Sequence, residues 1–231
     1  MASSILQSLL EMGYKPIYAI TLAVAIWRYP KYYDTALRFL PILYLYTFLN
    51  EVLGYLIKFN ENLALTFNNL TDNSAIYNLY TIISYLYYYY IFWSFSKNTH
   101  LKRNMLYGAF VFMTSCIVNI FLQRFVSDSQ ILSYLVGGCI LLYGTISFLR
   151  NFMSDPHQFA LKQNIIFWIS LGLTIFYMGY LPIKLLRFYN SQYGLQESPV
   201  IRSIHLSLIL IMYILFIIGF LKMRRPLRNT I

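Results

Sequence analysis

Seven long apolar segments divide this chain of 231 residues. Each is similar in length to the ~20 apolar residues that an α-helix needs to cross the hydrocarbon core of a bilayer. Only 11% of the residues are charged, whereas a typical soluble domain has about 25%. We therefore predict an all-α membrane protein, a single domain of seven transmembrane helices at 5–27, 39–58, 74–95, 104–123, 131–149, 163–186 and 202–221.

The basic residues predict how these helices are oriented. An odd number of spans places the two termini on opposite sides of the membrane. With a cytoplasmic C-terminus, the inner segments hold twice as many Lys and Arg residues as the outer segments, which is the bias that sets topology. We predict an outer N-terminus and a cytoplasmic C-terminus. The net charge of +10 is then explained by orientation, and we expect no binding of nucleic acid.

Glu51 is the one carboxylate that the sequence places deep inside a predicted span. A charge in hydrocarbon is costly, so such a residue usually faces a partner or a cavity. It lies about eight residues from the outer end of the second helix, roughly 12 Å deep. We predict an outer-half polar pocket whose candidate ligand-binding residues are Glu51, Asn50, Tyr80, Lys184 and His205. The alternative is a structural carboxyl that neighbouring tyrosine and asparagine side chains hold.

The motifs of common enzymes are missing from the sequence. It contains no HExxH, GxSxG or P-loop pattern, each of which supplies a defined set of catalytic groups. No span carries two carboxylates suited to a metal ion, and the two cysteines, Cys116 and Cys139, lie in different apolar segments. The predicted last helix also lacks a lysine for a retinal Schiff base. We expect a protein that is not an enzyme and that has no cofactor and no bound metal.

Three short segments carry a resemblance to a known group of proteins. They are NEVLGY at 50–55, YNLYTII at 77–83 and FWISLG at 167–172. These segments resemble a family of small bacterial seven-helix membrane proteins with no assigned function, and the resemblance implies a multi-pass location in the bacterial inner (plasma) membrane. In proteins of this type a second acidic residue often stands in the third helix, where this chain has Ser84 and Tyr85. The resemblance therefore implies that a two-carboxylate site is absent here.

Three functional hypotheses fit the sequence, and each has the lipid bilayer as its surroundings. The first is a receptor-like protein that binds a small ligand in the outer-half pocket and couples to a membrane or cytoplasmic partner protein. The second is a small-solute or proton-coupled transporter using Glu51, but the inner half offers few polar residues for a path, namely Ser147, Asn164 and Ser170. The third is a structural subunit of a larger complex, because paired glycines on the fifth and sixth helices permit close helix approach.

Overall fold

The computed structural model of the protein describes residues 2–59, 74–125, 128–154 and 163–224. Within these ranges the protein is all-helical, with two 3₁₀ turns at Tyr29–Lys31 and Ala36–Phe39. The seven α-helices of the described ranges are α1 Ala2–Arg28, α2 Leu40–Phe59, α3 Ser74–Phe95, α4 Thr99–Leu122, α5 Ile131–Met153, α6 Ile165–Gln192 and α7 Pro199–Lys222.

Five of the described helices are long and apolar enough to cross a bilayer, and they make this a multi-pass membrane protein. The five candidate spans are Ala36–Gly54, Thr99–Leu122, Ile131–Met153, Ile165–Gln192 and Pro199–Lys222. The helix α3 is not among them because its apolar residues alternate with many tyrosines, whose hydroxyl groups lower its hydropathy. The helix α1 is not among the five either, and it includes Pro16 and two basic residues, Lys15 and Arg28. The membrane class predicted from the sequence is confirmed at this level.

Six of the helices form a closed ring, and the seventh packs on its outside. Around the ring α1 contacts α2, α2 contacts α3, α3 contacts α5, α5 contacts α6, α6 contacts α7, and α7 returns to α1. The remaining helix, α4, packs against α3 and α5. We call the end of the bundle where α1 begins the N-terminal end, and the end where α7 finishes the C-terminal end.

Local hydrogen bonds explain where two helices begin and where one ends. The α4 helix begins at Thr99, earlier than the sequence predicts, because the Asn98 side chain accepts the backbone N–H groups of the first turn. Asn164 caps α6 in the same way. A side-chain oxygen at this position satisfies N–H groups that have no partner inside the helix. The α6 helix continues past the predicted end at 186 and stops before Gly194, whose φ of 63° is the left-handed conformation typical of a helix end.

The paired glycines of α6 contact α7 of the same chain. A Cβ atom added at Gly172 would lie 2.9 Å from Phe216 Cε1 and 3.1 Å from the Met212 carbonyl oxygen, and one at Gly179 would lie 2.6 Å from Leu208 Cδ1. The glycine pair of α5 packs against α3 and α4 just as closely. Small residues let helix backbones approach each other, so these glycine faces serve packing within this chain.

The C-terminal half of the bundle is filled by large aromatic side chains. Tyr44 of α2 packs against Phe216 and Phe220 of α7, with ring centroids 6.0 Å away in both cases. Tyr89 and Phe92 of α3 fill the space beside α5, and the Tyr89 hydroxyl donates to the Gly137 carbonyl at 2.6 Å. All five of these rings are at most 2% exposed. We call these five residues, Tyr44, Tyr89, Phe92, Phe216 and Phe220, the aromatic plug.

Basic side chains at the end of α1 and in the 3₁₀ turn that follows it cap the C-terminal end of α7. Arg28 donates to the carbonyl oxygens of Phe220 at 3.1 Å and Leu221 at 2.5 Å, and Lys31 donates to that of Met223 at 3.3 Å. The C-terminal end of a helix carries a partial negative charge and carbonyl groups without partners, both of which favour a cation. These two basic residues therefore stabilise the fold.

Candidate functional site

A cavity of about 380 Å³ lies within the bundle in its N-terminal half. Side chains from all seven described helices line it, and residues of the link between α4 and α5 close one side. All five residues that the sequence singled out, Asn50, Glu51, Tyr80, Lys184 and His205, line this one cavity. Its volume is within the range of roughly 300–1,000 Å³ that small-molecule sites occupy.

The Glu51 carboxylate faces the cavity from α2 and accepts a hydrogen bond from α3. The Tyr77 hydroxyl donates to Glu51 Oε1 at 3.1 Å. Lys15 on α1 is close enough for its positive charge to act on this carboxylate, although Lys15 is not part of the lining. Glu51 thus has the hydrogen-bonded environment in the protein interior that an intramembrane carboxylate needs, and it does not face lipid.

Tyr80 lies one turn from Tyr77 and contacts a different residue of α2. Its hydroxyl accepts a hydrogen bond from Thr47 Oγ1 at 2.8 Å. Its ring meets that of Tyr46 edge to face, with centroids 5.4 Å apart. The two tyrosines therefore contact different residues of α2. Tyr77 donates to Glu51, and Tyr80 bonds to Thr47, which lies nearer the aromatic plug.

Asn50 has a buried amide group without a hydrogen-bond partner among the described residues. Its side chain is 3% exposed and lines the cavity next to Glu51. The Nδ2 atom of this amide finds no acceptor within the described part of the chain. Nearly all buried polar side chains in proteins are paired, so an exception calls for an explanation. A ligand acceptor in the cavity would supply the missing partner.

Lys184 approaches the cavity from α6 and is held by neutral groups. Its Nζ atom donates to the Ser129 hydroxyl at 2.7 Å. The same atom lies 5.1 Å from the centroid of the Tyr134 ring, a distance at which the ring attracts a cation. A second cavity of about 810 Å³ adjoins the first and shares Ser129 and Lys184 with it. The hydrogen bond between these two residues therefore stands where the two cavities meet.

The link that carries Ser129 is fastened to α3 by one buried asparagine. Asn78 Nδ2 donates to the carbonyl oxygens of Phe125 and Asp128, each at 2.8 Å, and its Oδ1 accepts the backbone N–H of Gln130 at 3.3 Å. Three bonds from a single side chain fix this link over the N-terminal end of the cavity. Asn78 thereby sets the position of Ser129 and, through it, of the Lys184 ammonium group.

His205 of α7 stacks on a tyrosine and contacts an arginine of α6. Its ring lies parallel to that of Tyr180, with centroids 4.3 Å apart and an angle of 20°. Its Nδ1 atom is 3.1 Å from Arg187 Nη2. Because a guanidinium group only donates, His205 Nδ1 accepts, and the ring is neutral with its proton on Nε2. Arg187 also pairs with Glu197 at 2.7 Å, so its own charge is balanced at this end of the bundle.

The charged groups of the described lining are one carboxylate and one ammonium group. Glu51 bonds to Tyr77 and Lys184 bonds to Ser129, so each charge is paired with a neutral hydroxyl and not with the other charge. Among the residues that the structure describes, no group of three or more His, Cys, Asp or Glu side chains could hold a metal ion.

Residues at this site that the sequence reasoning missed include Arg187 and Ser129. Arg187 lies just beyond the predicted end of the sixth helix, although its spacing from Tyr180 and Lys184 puts all three on one face of a longer helix. Ser129 lies in a short polar link whose position no periodicity reveals.

Comparisons with protein-family models, curated proteins and solved structures found no match to the chain.

Proposed function

We propose that the protein is a receptor-like membrane protein, not an enzyme, that binds a small ligand in the cavity around Glu51. The observation that supports this best is the unpartnered Asn50 amide next to the Glu51 carboxylate in a cavity of ligand size. A buried donor without a partner destabilises the empty protein. A ligand that accepts from Asn50 recovers that free energy, so binding favours the occupied state of the bundle.

We propose that all seven helices cross a bacterial inner membrane, with the N-terminus outside and the C-terminus in the cytoplasm. The excess of Lys and Arg on the segments at the C-terminal end supports this orientation. The resemblance of 50–55, 77–83 and 167–172 to small bacterial membrane proteins supports the location. In this arrangement the cavity lies in the outer half of the membrane, and a ligand reaches it from outside the cell.

Coupling to a partner would use the cytoplasmic end of the bundle. Lys97 in the link from α3 to α4 and Arg103 near the start of α4 are both exposed. By contrast, Arg28 and Lys31 donate to the end of α7 and already have a role within the chain. We propose the link from α3 to α4 as the surface that contacts a membrane or cytoplasmic partner protein when the cavity is occupied.

The aromatic plug favours a receptor over a transporter. Towards the C-terminal end from the cavity, Tyr44 packs against Phe216 and Phe220 of α7, Tyr89 and Phe92 pack beside α5, and each of the five plug residues is at most 2% exposed. A carrier must open its site to both sides in turn, which here would require several packed rings to move apart. The glycine faces that could have favoured a structural subunit contact α7, α3 and α4 of the same chain, so they give that alternative no support.

The test is a ligand screen on purified protein in lipid nanodiscs. Thermal unfolding is followed while a library of small polar metabolites is added, with wild type, Glu51→Gln and the matched control Asp34→Asn in parallel. Asp34 is exposed in the link from α1 to α2 and lies outside the cavity lining. At least one compound should raise the unfolding temperature of wild type and of the control, but not of Glu51→Gln. A library without any stabilising compound would contradict the proposal.

A further inference from the structure

The two opposite charges of the cavity lining do not neutralise each other. Glu51 on α2 accepts from the Tyr77 hydroxyl, and Lys184 on α6 donates to the Ser129 hydroxyl. In an interior of low dielectric constant a charge interacts strongly with an opposite charge, and a hydrogen bond from a neutral hydroxyl replaces only part of that interaction. Each of the two charges therefore retains an attraction for a ligand group of opposite charge.

Glu51 and Lys184 are the charged groups of the described lining, and Lys15 acts on Glu51 from outside it. His205 is neutral, because its Nδ1 atom accepts from Arg187. Arg187 is paired with Glu197 at 2.7 Å. A ligand with only a positive charge would be attracted by Glu51 and repelled by Lys184. A ligand with only a negative charge would be attracted by Lys184 and repelled by Glu51. A ligand that carries both charges matches both residues.

Asn50 adds a donor beside the carboxylate. Its free Nδ2 group requires an acceptor, and the residue next to it, Glu51, requires a cation or another donor. A molecule with an ammonium group and a carboxylate satisfies both. The two neighbouring residues of α2 thus present the two halves of a site for an amino acid, with Lys184 as the second group that attracts the carboxylate.

Tyrosine rings form much of the remaining wall. Rings from α1, α3, α5, α6 and α7 line the cavity, among them Tyr18, Tyr77, Tyr80, Tyr134, Tyr177 and Tyr213. Aromatic faces attract an ammonium group, and they also pack well against an apolar or aromatic body. The volume of about 380 Å³ admits a single small molecule of this kind.

We infer that the ligand of this cavity is a small zwitterion, an amino acid with an apolar or aromatic body, held between Glu51, Asn50 and Lys184. The inference rests on the proposed ligand-binding function and names the chemical class of the ligand. The ammonium group lies at Glu51 among the tyrosine rings, and the carboxylate accepts from Asn50 and Lys184.

The experiment measures equilibrium binding of two matched sets of probes to the full chain in nanodiscs by titration calorimetry. The first set is phenylalanine, phenethylamine, which lacks the carboxylate, and 3-phenylpropionate, which lacks the ammonium group. The second set is 6-aminohexanoate, hexylamine and hexanoate, in which the two charges stand further apart. In at least one set the zwitterion should bind about tenfold or more tightly than both singly charged analogues.

Single substitutions test which residue binds which charged group of the ligand. Glu51→Gln should weaken zwitterion binding by about tenfold and leave the carboxylate analogue unchanged. Lys184→Met should weaken the zwitterion similarly and leave the amine analogue unchanged. The control is Lys222→Met, because Lys222 also lies over an aromatic ring, that of Trp168 at 4.9 Å, but at the opposite end of the bundle. It should bind like wild type.

Three results would overturn the inference. The first is a singly charged analogue that binds as tightly as its zwitterion in both sets. The second is a preference for the carboxylate analogue, which would mean that Lys15 neutralises Glu51. The third is the absence of binding by all six probes. The broader metabolite screen separates the two proposals. A library compound of another charge class that stabilises the protein through Glu51 would refute the zwitterion and keep the ligand-binding function.

Discussion

Replacing Asn50 with leucine should stabilise the empty protein while it removes ligand binding. Asn50 is 3% exposed, and its Nδ2 group finds no acceptor among the described residues. Leucine has a similar size and no polar group to satisfy, and the neighbouring cavity leaves space for its branched end. Most substitutions in a membrane protein core destabilise it, so a gain in stability at a buried polar residue would be diagnostic.

A second buried asparagine provides the matched control and the magnitude. Asn119 of α4 is 1% exposed, but its Nδ2 donates to Gln130 Oε1 at 2.8 Å. Removing one partner of a buried hydrogen bond costs about 1–3 kcal/mol, whereas removing an unpaired group regains a similar free energy. Asn50→Leu should therefore raise the free energy of unfolding by about 1–2 kcal/mol, and Asn119→Leu should lower it by about 1–2 kcal/mol.

The assay is reversible unfolding in mixed detergent micelles, followed by tryptophan fluorescence and without added ligand. The difference between the two variants, about 2–4 kcal/mol, is easily resolved by such titrations. If Asn50→Leu destabilised the protein as much as Asn119→Leu does, the Asn50 amide would have a partner in the empty protein. The assignment of Asn50 as an open ligand donor would then be refuted.

Three further outcomes are expected. Gly172→Ala should lower the free energy of unfolding by about 1–3 kcal/mol, because the added Cβ atom would contact α7. The control Gly13→Ala, whose Cβ atom would have no neighbour within 4 Å, should not destabilise the protein, and equal effects of the two variants would contradict the close approach of α6 and α7. Asn78→Ala should lower the free energy of unfolding by about 3 kcal/mol, because three hydrogen bonds are lost. Ser203→Ala, whose hydroxyl bonds only within its own helix, should change that free energy little, and similar losses in both variants would count against the anchoring of the link between α4 and α5 by Asn78. Proteoliposomes should show no proton flux that depends on Glu51, and a flux abolished in Glu51→Gln would favour the transporter.

The sequence predicts the helices well because each apolar segment is bounded by polar or basic residues. It predicts their order around the ring poorly. Nothing in the periodicity of α4, for example, indicates that it lies outside the ring against α3 and α5. Two boundaries also depend on single residues, the Asn98 side-chain cap and the left-handed backbone of Gly194, so that α4 and α6 extend beyond their apolar segments.

The five candidate site residues could be gathered from the sequence because intramembrane polar groups avoid lipid and therefore tend to meet inside a bundle. Their individual partners could not be predicted. Tyr77 and Tyr80 share a face of α3, and only the relative height of α2 and α3 decides that Tyr77 reaches Glu51 while Tyr80 reaches Thr47. Tertiary packing sets such heights, and a single sequence does not record them.

The access of thiol reagents to two matched positions tests most directly whether the cavity opens only to the outside. Thr81 lines the cavity, and Ser170 is buried in α6 towards the C-terminal end; each hydroxyl bonds only to a carbonyl one turn earlier in its own helix. Single substitutions to cysteine, made after Cys116 and Cys139 are replaced by serine, are treated with a membrane-impermeant thiol reagent on intact cells and on inside-out vesicles. Thr81→Cys should react only from outside, and Ser170→Cys from neither side. Reaction of either position from the cytoplasmic side would contradict an outward-facing receptor closed by the aromatic plug.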